Sequence, residues 1–271
     1  MKNDIVNNEV LIIYTAIFDN YDQLIDPKSL YKNCKFICFT NNKDLKSKIW
    51  EIIFIETNED PIILSRKYKF LPNNYFNNYK FSMYVDGNIE ILSNPYEIMQ
   101  KYITNSLVAA PLHLERQCIY QEAYSCIDNN ISDTNLIRKQ ILFLKENKYP
   151  TNYGLNEMNI IIRKHNNPLI INAMNDLWNL YLKYPTRDQL IFNYIFWKHK
   201  IKVSNIKENS RIKNKYFFCH PHYAKNKSLL RKVFNLFWYR RYHNPFLFFL
   251  GNILFRIHKL YKLKLYDKKK F

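Results

Sequence analysis

Residues 81–92 read FSMYVDGNIEIL, and these positions decide which fold classes are open to the chain. Phe81, Met83 and Val85 alternate with Ser82 and Tyr84, an apolar strand pattern that ends on Asp86. Gly87 follows, then Asn88, then a second alternating run. Asp-Gly between two such runs is a strong hairpin signal. Asp86 and Asn88 at a strand end could also face one hard cation, Mg²⁺ or Mn²⁺. The two readings are compatible, because a turn can present metal ligands. A strand that delivers polar groups at its carboxyl end suits an α/β domain, whose ligands bind there.

The sequence on either side carries the same alternation. Strand patterns fall at Val10 to Phe18, Lys35 to Thr40, Trp50 to Glu56, Lys80 to Val85, Asn88 to Leu92, Leu107 to Ala110 and Met158 to Arg163. Helical patterns fall at Pro61 to Leu71, Pro95 to Thr104, Glu115 to Asp128, Thr134 to Asn147, Leu169 to Leu182 and Arg187 to His199. Pro61, Pro95 and Pro168 each sit near a helix start, where a missing N–H costs nothing. The expected architecture is one α/β domain with a mixed, mainly parallel sheet over residues 1–224, followed by a basic tail of amphipathic helices over 225–271. Only Gly87, Gly154 and Gly251 occur, so no Gly-rich phosphate loop can be written.

The net charge of +18 is confined to one end. Met1 to Trp197 holds 21 basic and 21 acidic residues, while Lys198 to Phe271 holds 20 basic residues against Glu208 and Asp267, or 20 − 2 = +18. A nucleic-acid-binding domain would spread its basic surface over the folded body, so nucleic acid is not the expected partner. The tail reads KNKSLLRKVFNLFWYRRYHNPFLFFLGNILFRIHKLYKLKLYDKKKF from Lys225. Leu230, Val233, Phe234, Phe237 and Trp238 make an apolar stripe beside Arg231, Lys232, Arg240 and Arg241. The apolar run Phe246 to Phe255 is about half of a membrane span. An anionic membrane surface is the expected partner of such a tail. Ordinary packing onto the body and binding to a nucleic-acid strand are its competitors. The polar start MKNDIVNNEV and the five cysteines, with no CxxC pair, read as a chain kept inside the cell with reduced thiols. The expected location is cytoplasmic, peripheral on the inner face of the cell membrane.

Other stretches carry candidate chemistry. In RDQLIFN, Asp188 reads as a helix cap, and Gln189 beside it adds an amide at the helix mouth that could hold sugar hydroxyls. In SRKYKF, Arg66 and Lys69 share a helical face and could clamp a diphosphate. In FFCHPHY, His220 and His222 point to opposite faces of an extended segment, so at most one reaches a common metal. In HLERQCIYQEA, a helix would put His113, Arg116 and Tyr120 on one face, with Glu115 and Glu122 further round.

Taken in order, YTAIFDNYDQL (14–24), KFICFT (35–40), SRKYKFLPNNYF (65–76), FSMYVDGNIEI (81–91), HLERQCIYQEA (113–123), LNEMNIIIRKHN (155–166), Trp178 and RDQLIF (187–192) resemble a family of hexosyltransferases. In plants that family includes a mucilage-polysaccharide protein, and some members carry the name alkaline ceramidase. The resemblance covers roughly Leu11 to His199 and implies a GT-A-like domain that binds a nucleotide-sugar, with DGN in the place of the metal-binding DxD. The chain is also similar, more faintly, to the retaining galactosyltransferase and glycogenin group, whose DQDxxN helix start lines the donor sugar. Here DQLIFN keeps Asp188, Gln189 and Asn193 but has Leu190 for the second Asp.

The resemblances imply a role for each matching residue. Thr15, Ala16 and Tyr21 would line the base and ribose, and Arg66 and Lys69 the diphosphate or base. Asp86 and Asn88 would hold Mn²⁺ or Mg²⁺, with His220 or His222 as the late histidine ligand. Asp188 and Gln189 would face the transferred sugar. The implied activity is metal-dependent hexosyl transfer from a nucleotide-sugar to a glycan acceptor, lipid-linked in keeping with the tail. The competing reading is a non-catalytic or nucleic-acid-binding protein on a transferase-like scaffold, because Asn88 replaces the second carboxylate of DxD.

Overall fold

A computed structural model of the chain describes residues 7–222, 235 and 237–267. Seven strands form one sheet: β1 (Asn7–Ile17), β2 (Cys34–Thr40), β3 (Glu51–Phe54), β4 (Tyr79–Val85), β6 (Val108–Pro111), β7 (Ile160–Arg163) and β8 (Val203–Ile206). Their order is β3-β2-β1-β4-β7-β6-β8. β7 runs antiparallel to both its neighbours, β4 and β6, while the other pairings are parallel. β5 (Ile89–Ile91) and β9 (Phe217–Cys219) make a separate antiparallel pair. The fold is therefore mixed α/β with a mainly parallel sheet, as the alternation of patterns implies.

β1 is apolar at consecutive positions because both faces of the sheet are covered there. Ile12, Tyr14 and Ala16 enter one core and Leu11, Ile13 and Ile17 the other. Helices α1 (Pro61–Phe70), α3 (Ile119–Asp128), α4 (Thr134–Glu146), α5 (Pro168–Lys183) and α6 (Gln189–Lys198) contribute side chains to the first core. α2 (Pro95–Ile103) and the β5–β9 pair contribute to the second. Asp60, Asn94, Asp133 and Asn167 accept first-turn amide hydrogens, so α1, α2, α4 and α5 start where a short polar side chain meets the chain direction. Pro61, Pro95 and Pro168 occupy the first position of α1, α2 and α5. The five cysteines are free thiols, four of them buried.

Three expectations are corrected. The Asp86-Gly87 turn does not join a hairpin: β4 pairs with β1 and β7, and β5 pairs with β9. The Ile89 amide donates to the Asp86 carbonyl at 3.0 Å, closing a turn that moves the chain from the large sheet to the small one. A Cβ at Gly87 would lie 2.5 Å from Ile17 Cδ1 and 2.8 Å from its Cγ1, so a side chain there would need Ile17 to move. The Glu115 to Asp128 helix begins only at Ile119. Before it, the His113 Nδ1 accepts the amide hydrogens of Glu115 and Arg116, both at 3.1 Å, and the side chain takes donors that a helix would otherwise need carbonyls to satisfy. The strand patterns also omit β8 and β9. At the C-terminal end α7 spans Pro245–Asp267. Of the apolar stripe expected before it, Leu230, Val233 and Phe234, with Arg231 and Lys232, lie outside the described residues.

Candidate active site

The carboxyl ends of β1 and β4 and the start of α6 converge, and four charged side chains meet there. Lys69, in the last turn of α1, puts its Nζ 2.6 Å from Asp188 Oδ2 and 3.8 Å from Asp86 Oδ1. Arg66, one turn earlier on the same helix face, puts Nε 3.4 Å from the same Asp188 oxygen. Two carboxylates and two cations thus form one cluster. Asp188 stands at the N-cap position of α6 but makes no side-chain cap hydrogen bond, so the cap reading is not what the structure shows. Burial alone would raise the carboxyl, but Lys69 and Arg66 outweigh it and hold Asp188 well below the usual carboxylate range.

The cluster has a built floor. Tyr84 lies under Lys69, with Nζ 4.9 Å from the ring centre. The Lys69 carbonyl accepts from the Tyr14 hydroxyl at 2.9 Å and from Arg163 Nη2 at 2.9 Å, and Arg163 also donates to the Tyr14 hydroxyl. Arg163 is fully buried. Tyr14 and Arg163 stand in two of the quoted motifs, YTAIFDNYDQL and LNEMNIIIRKHN, yet nothing local in either marks them as supports for residue 69.

Around the cluster the expected residues divide. Tyr21 is exposed and its ring is 5.5 Å from that of His222. Asp19 and Asn20 before it both take positive φ, 53° and 52°, a conformation that Asp and Asn tolerate. They are pinned by side-chain bonds to Asn41 and Asn42. Thr15 and Ala16 bring no polar group to the cluster: Thr15 is fully buried in the sheet, its hydroxyl without a hydrogen-bond partner among the described residues, and Ala16 packs into the first core on the side of α1 and α6. Gln189 is buried and accepts from Arg187, which also approaches Glu122 at 3.7 Å. Glu122 accepts from Arg116 Nε at 2.5 Å and lies 3.6 Å from His113 Nε2. His113, Arg116 and Glu122 therefore meet one another as side chains, although only Glu122 is on a helix. Tyr120 turns away and donates to the Tyr149 carbonyl at 2.8 Å.

The four residues expected to hold a cation are not brought together. The Asn88 amide donates to the His220 carbonyl at 2.6 Å, so it ties the turn to β9. The His220 imidazole faces Glu90 at 2.9 Å and the His222 imidazole faces Asp22 at 2.8 Å. Among the described residues no three His, Cys, Asp or Glu side chains form a group that could hold a metal ion. Asp86, with about a third of its side chain open, is the one of the four whose carboxylate faces the cluster.

The strand order and the charged cluster at the carboxyl ends describe a mixed α/β domain with its candidate site at the strand ends. The family model described as TOD1/MUCI70, glycosyltransferase-like domain, matches residues 2–218, and the chain belongs to that family. A curated relative, "Probable hexosyltransferase MUCI70" of Arabidopsis thaliana, is 23% identical over 215 residues, covering 68% of this chain and 37% of its own length. The chain thus spans little more than a third of that relative. Among solved structures, the WbbM bifunctional glycosyltransferase in its apo form has a TM-score of 0.48 at 12% identity, covering 74% of this chain and 39% of that one. Mouse xyloside xylosyltransferase 1, also apo, has a TM-score of 0.43 at 10% identity, covering 73% and 85%. The galactosyltransferase LgtC with donor and acceptor sugar analogs has a TM-score of 0.42 at 12% identity, covering 75% and 74%.

Proposed function

We propose that the chain is a hexosyltransferase that moves a sugar from a nucleotide-sugar donor to a glycan acceptor, with the reaction centred on the Arg66–Lys69–Asp86–Asp188 cluster. The observation that carries the reading is the Lys69–Asp188 contact inside a chain of the glycosyltransferase-like family. The acceptor hydroxyl oxygen forms a bond to the anomeric carbon while the bond from that carbon to the diphosphate oxygen breaks. The electron pair leaves with the nucleoside diphosphate and the hydroxyl proton passes to base or solvent. Arg66, partly open on the cluster's edge, and Lys69 meet the negative charge that develops on the leaving group. Asp188, kept ionised, faces the positive charge that develops at the sugar ring, and Gln189 offers its amide to sugar hydroxyls. Tyr21 is the exposed aromatic against which the base would stack.

Among the described residues no metal cage forms. A hard cation held by one carboxylate and the substrate's phosphates needs none, so the fit is to an ion shared between Asp86 and the diphosphate. Mn²⁺ or Mg²⁺ bound there would neutralise the leaving group. A lipid-linked glycan acceptor, reached at an anionic membrane surface on the inner face of the cell membrane, agrees with the concentration of positive charge after Lys198. Incubating the full chain with a panel of nucleotide-hexoses and Mn²⁺, and following release of nucleoside diphosphate, tests the reading. Release from at least one donor is expected; no binding and no release from any of them contradicts it and favours a non-catalytic scaffold.

A further inference from the structure

Helix α7 shows two different faces. Phe246, Phe249, Ile253 and Ile257 are 68, 63, 38 and 57% exposed, and their spacing of three, four and four residues puts them on one side of the helix. The other side is partly covered, although Phe248 on it is 45% exposed. Gly251 is buried, with room for a Cβ only 3.0 Å from that of Arg241, and Phe255 stacks on Trp238 at 4.7 Å. Arg241 is 4% exposed and joins this side to the body. Its guanidinium lies 3.5 Å over Trp238, Nη1 donates to the Trp238 carbonyl at 2.7 Å and Nη2 donates to Glu115 at 2.7 Å. The Tyr242 hydroxyl donates to the same carboxylate.

The clamp leads to the candidate site. Glu115 contacts Arg116 at 3.2 Å, Arg116 contacts Glu122 at 2.5 Å, Glu122 contacts Arg187 at 3.7 Å, and Arg187 donates to Gln189. A helix anchored on one face by half-buried aromatic contacts and the buried Arg241 ion pair, with large apolar groups bare on the other, has a surface left for a partner.

We propose that the Phe246–Phe249–Ile253–Ile257 face docks on an anionic lipid bilayer, and that the Arg241–Glu115 clamp holds the bilayer beside the candidate site. The proposal rests on the lipid-linked acceptor reading given above and adds the surface that would serve it. Charge selects the occupant. From Arg256 to Phe271 there are seven basic residues, Arg256, Lys259, Lys262, Lys264, Lys268, Lys269 and Lys270, against Asp267. A second copy carrying the same +18 would be repelled, whereas anionic headgroups would be attracted. Among the described residues no helix is long and apolar enough to cross a membrane, so α7 would lie in the plane of the interface.

Flotation of the full chain with vesicles of phosphatidylcholine alone and of phosphatidylcholine mixed with phosphatidylglycerol tests this. The wild type should float with the mixed vesicles and be released by salt. Phe249→Glu with Ile253→Glu should weaken flotation at least about ten-fold. Phe249→Ala with Ile253→Ala should also weaken it, which separates lost apolar contact from added negative charge. Both pairs should hydrolyse donor in free solution as the wild type does. Absence of hydrolysis in every protein would sink the catalytic reading and leave the docking face standing. For the clamp, hydrogen exchange of residues 112–122 should slow when mixed vesicles are added to the wild type and should not respond in Glu115→Gln. Undiminished flotation of both pairs overturns the proposal. So does a wild type that ignores vesicles but forms a dimer, by light scattering, that the Glu pair abolishes.

Discussion

Lys69 Nζ and Asp188 Oδ2 lie 2.6 Å apart across 119 residues of sequence, both side chains almost fully buried. One comes from the last turn of α1 and the other from the residue before α6. A buried pair of this kind costs more to break than to replace, because the survivor is left charged without a partner. Asp188→Ala should therefore destabilise the protein by about 3–5 kcal/mol in denaturant unfolding. Lys69→Met combined with Asp188→Leu should recover most of that stability. The double variant should still release no nucleoside diphosphate, separating the pair's structural role from its chemical one.

The same pair sets a pH signature. The Asp188 carboxyl is depressed in the folded protein, so its contribution is present above the ordinary carboxylate value of about 3.9 and is lost as pH falls from there through the lower folded value. Unfolding free energy of the wild type should fall more steeply below about pH 4 than that of Asp188→Asn. Parallel curves for the two proteins would mean that Asp188 is not held ionised by Lys69 and Arg66.

Gly87 offers a packing test of the turn that carries Asp86. Its missing Cβ leaves space for Ile17 Cδ1, which would otherwise be 2.5 Å away. Gly87→Ala should cost about 1–3 kcal/mol through overpacking and lower turnover by moving Asp86. Ile17→Val removes the nearer of the two colliding carbons, Cδ1, and leaves Cγ1 at 2.8 Å. The double variant should therefore be more stable than Gly87→Ala alone, a favourable coupling measurable in a double-mutant cycle.

If a cation is shared between Asp86 and the substrate, the protein alone should bind Mn²⁺ weakly. Calorimetric titration should show tight Mn²⁺ binding only with a nucleoside diphosphate present, and Asp86→Asn should remove it. Asn88→Ala should leave Mn²⁺ binding largely intact, because the Asn88 amide is engaged with His220. Tight Mn²⁺ binding without nucleotide would show that the histidines or Asn88 rearrange into a protein-only site.

The strands and helices that were legible in the sequence are those whose signals are local. β1, β2 and β4 are apolar runs ended by polar turns, and Asp60-Pro61, Asn94-Pro95 and Asn167-Pro168 write helix starts in two residues. β8 reads VSNI, with two polar residues at its centre, and β9 stops after FFC at His220-Pro221; neither extends into an apolar run, and they form because β6 and β5 supply their partners. The Asp86-Gly87 turn looked like a hairpin because β5 follows at once. Its true partner lies much later in the chain, where Ile89 meets Cys219. The identities of Arg66, Lys69, Asp86 and Asp188 as polar candidates were legible one by one, but their meeting depends on tertiary contact between α1, β4 and α6. The Glu115–Arg241 clamp joins residues 126 apart and has no local trace.

The central claim is that this cluster performs glycosyl transfer, and the most direct test is steady-state release of nucleoside diphosphate from a nucleotide-hexose panel by the wild type, Asp86→Ala and Asp188→Ala. The wild type should turn over at least one donor, and kcat should fall at least about a hundred-fold in each variant, the size expected when charge stabilisation in the transition state is lost. Undiminished donor binding and turnover in both variants would contradict it.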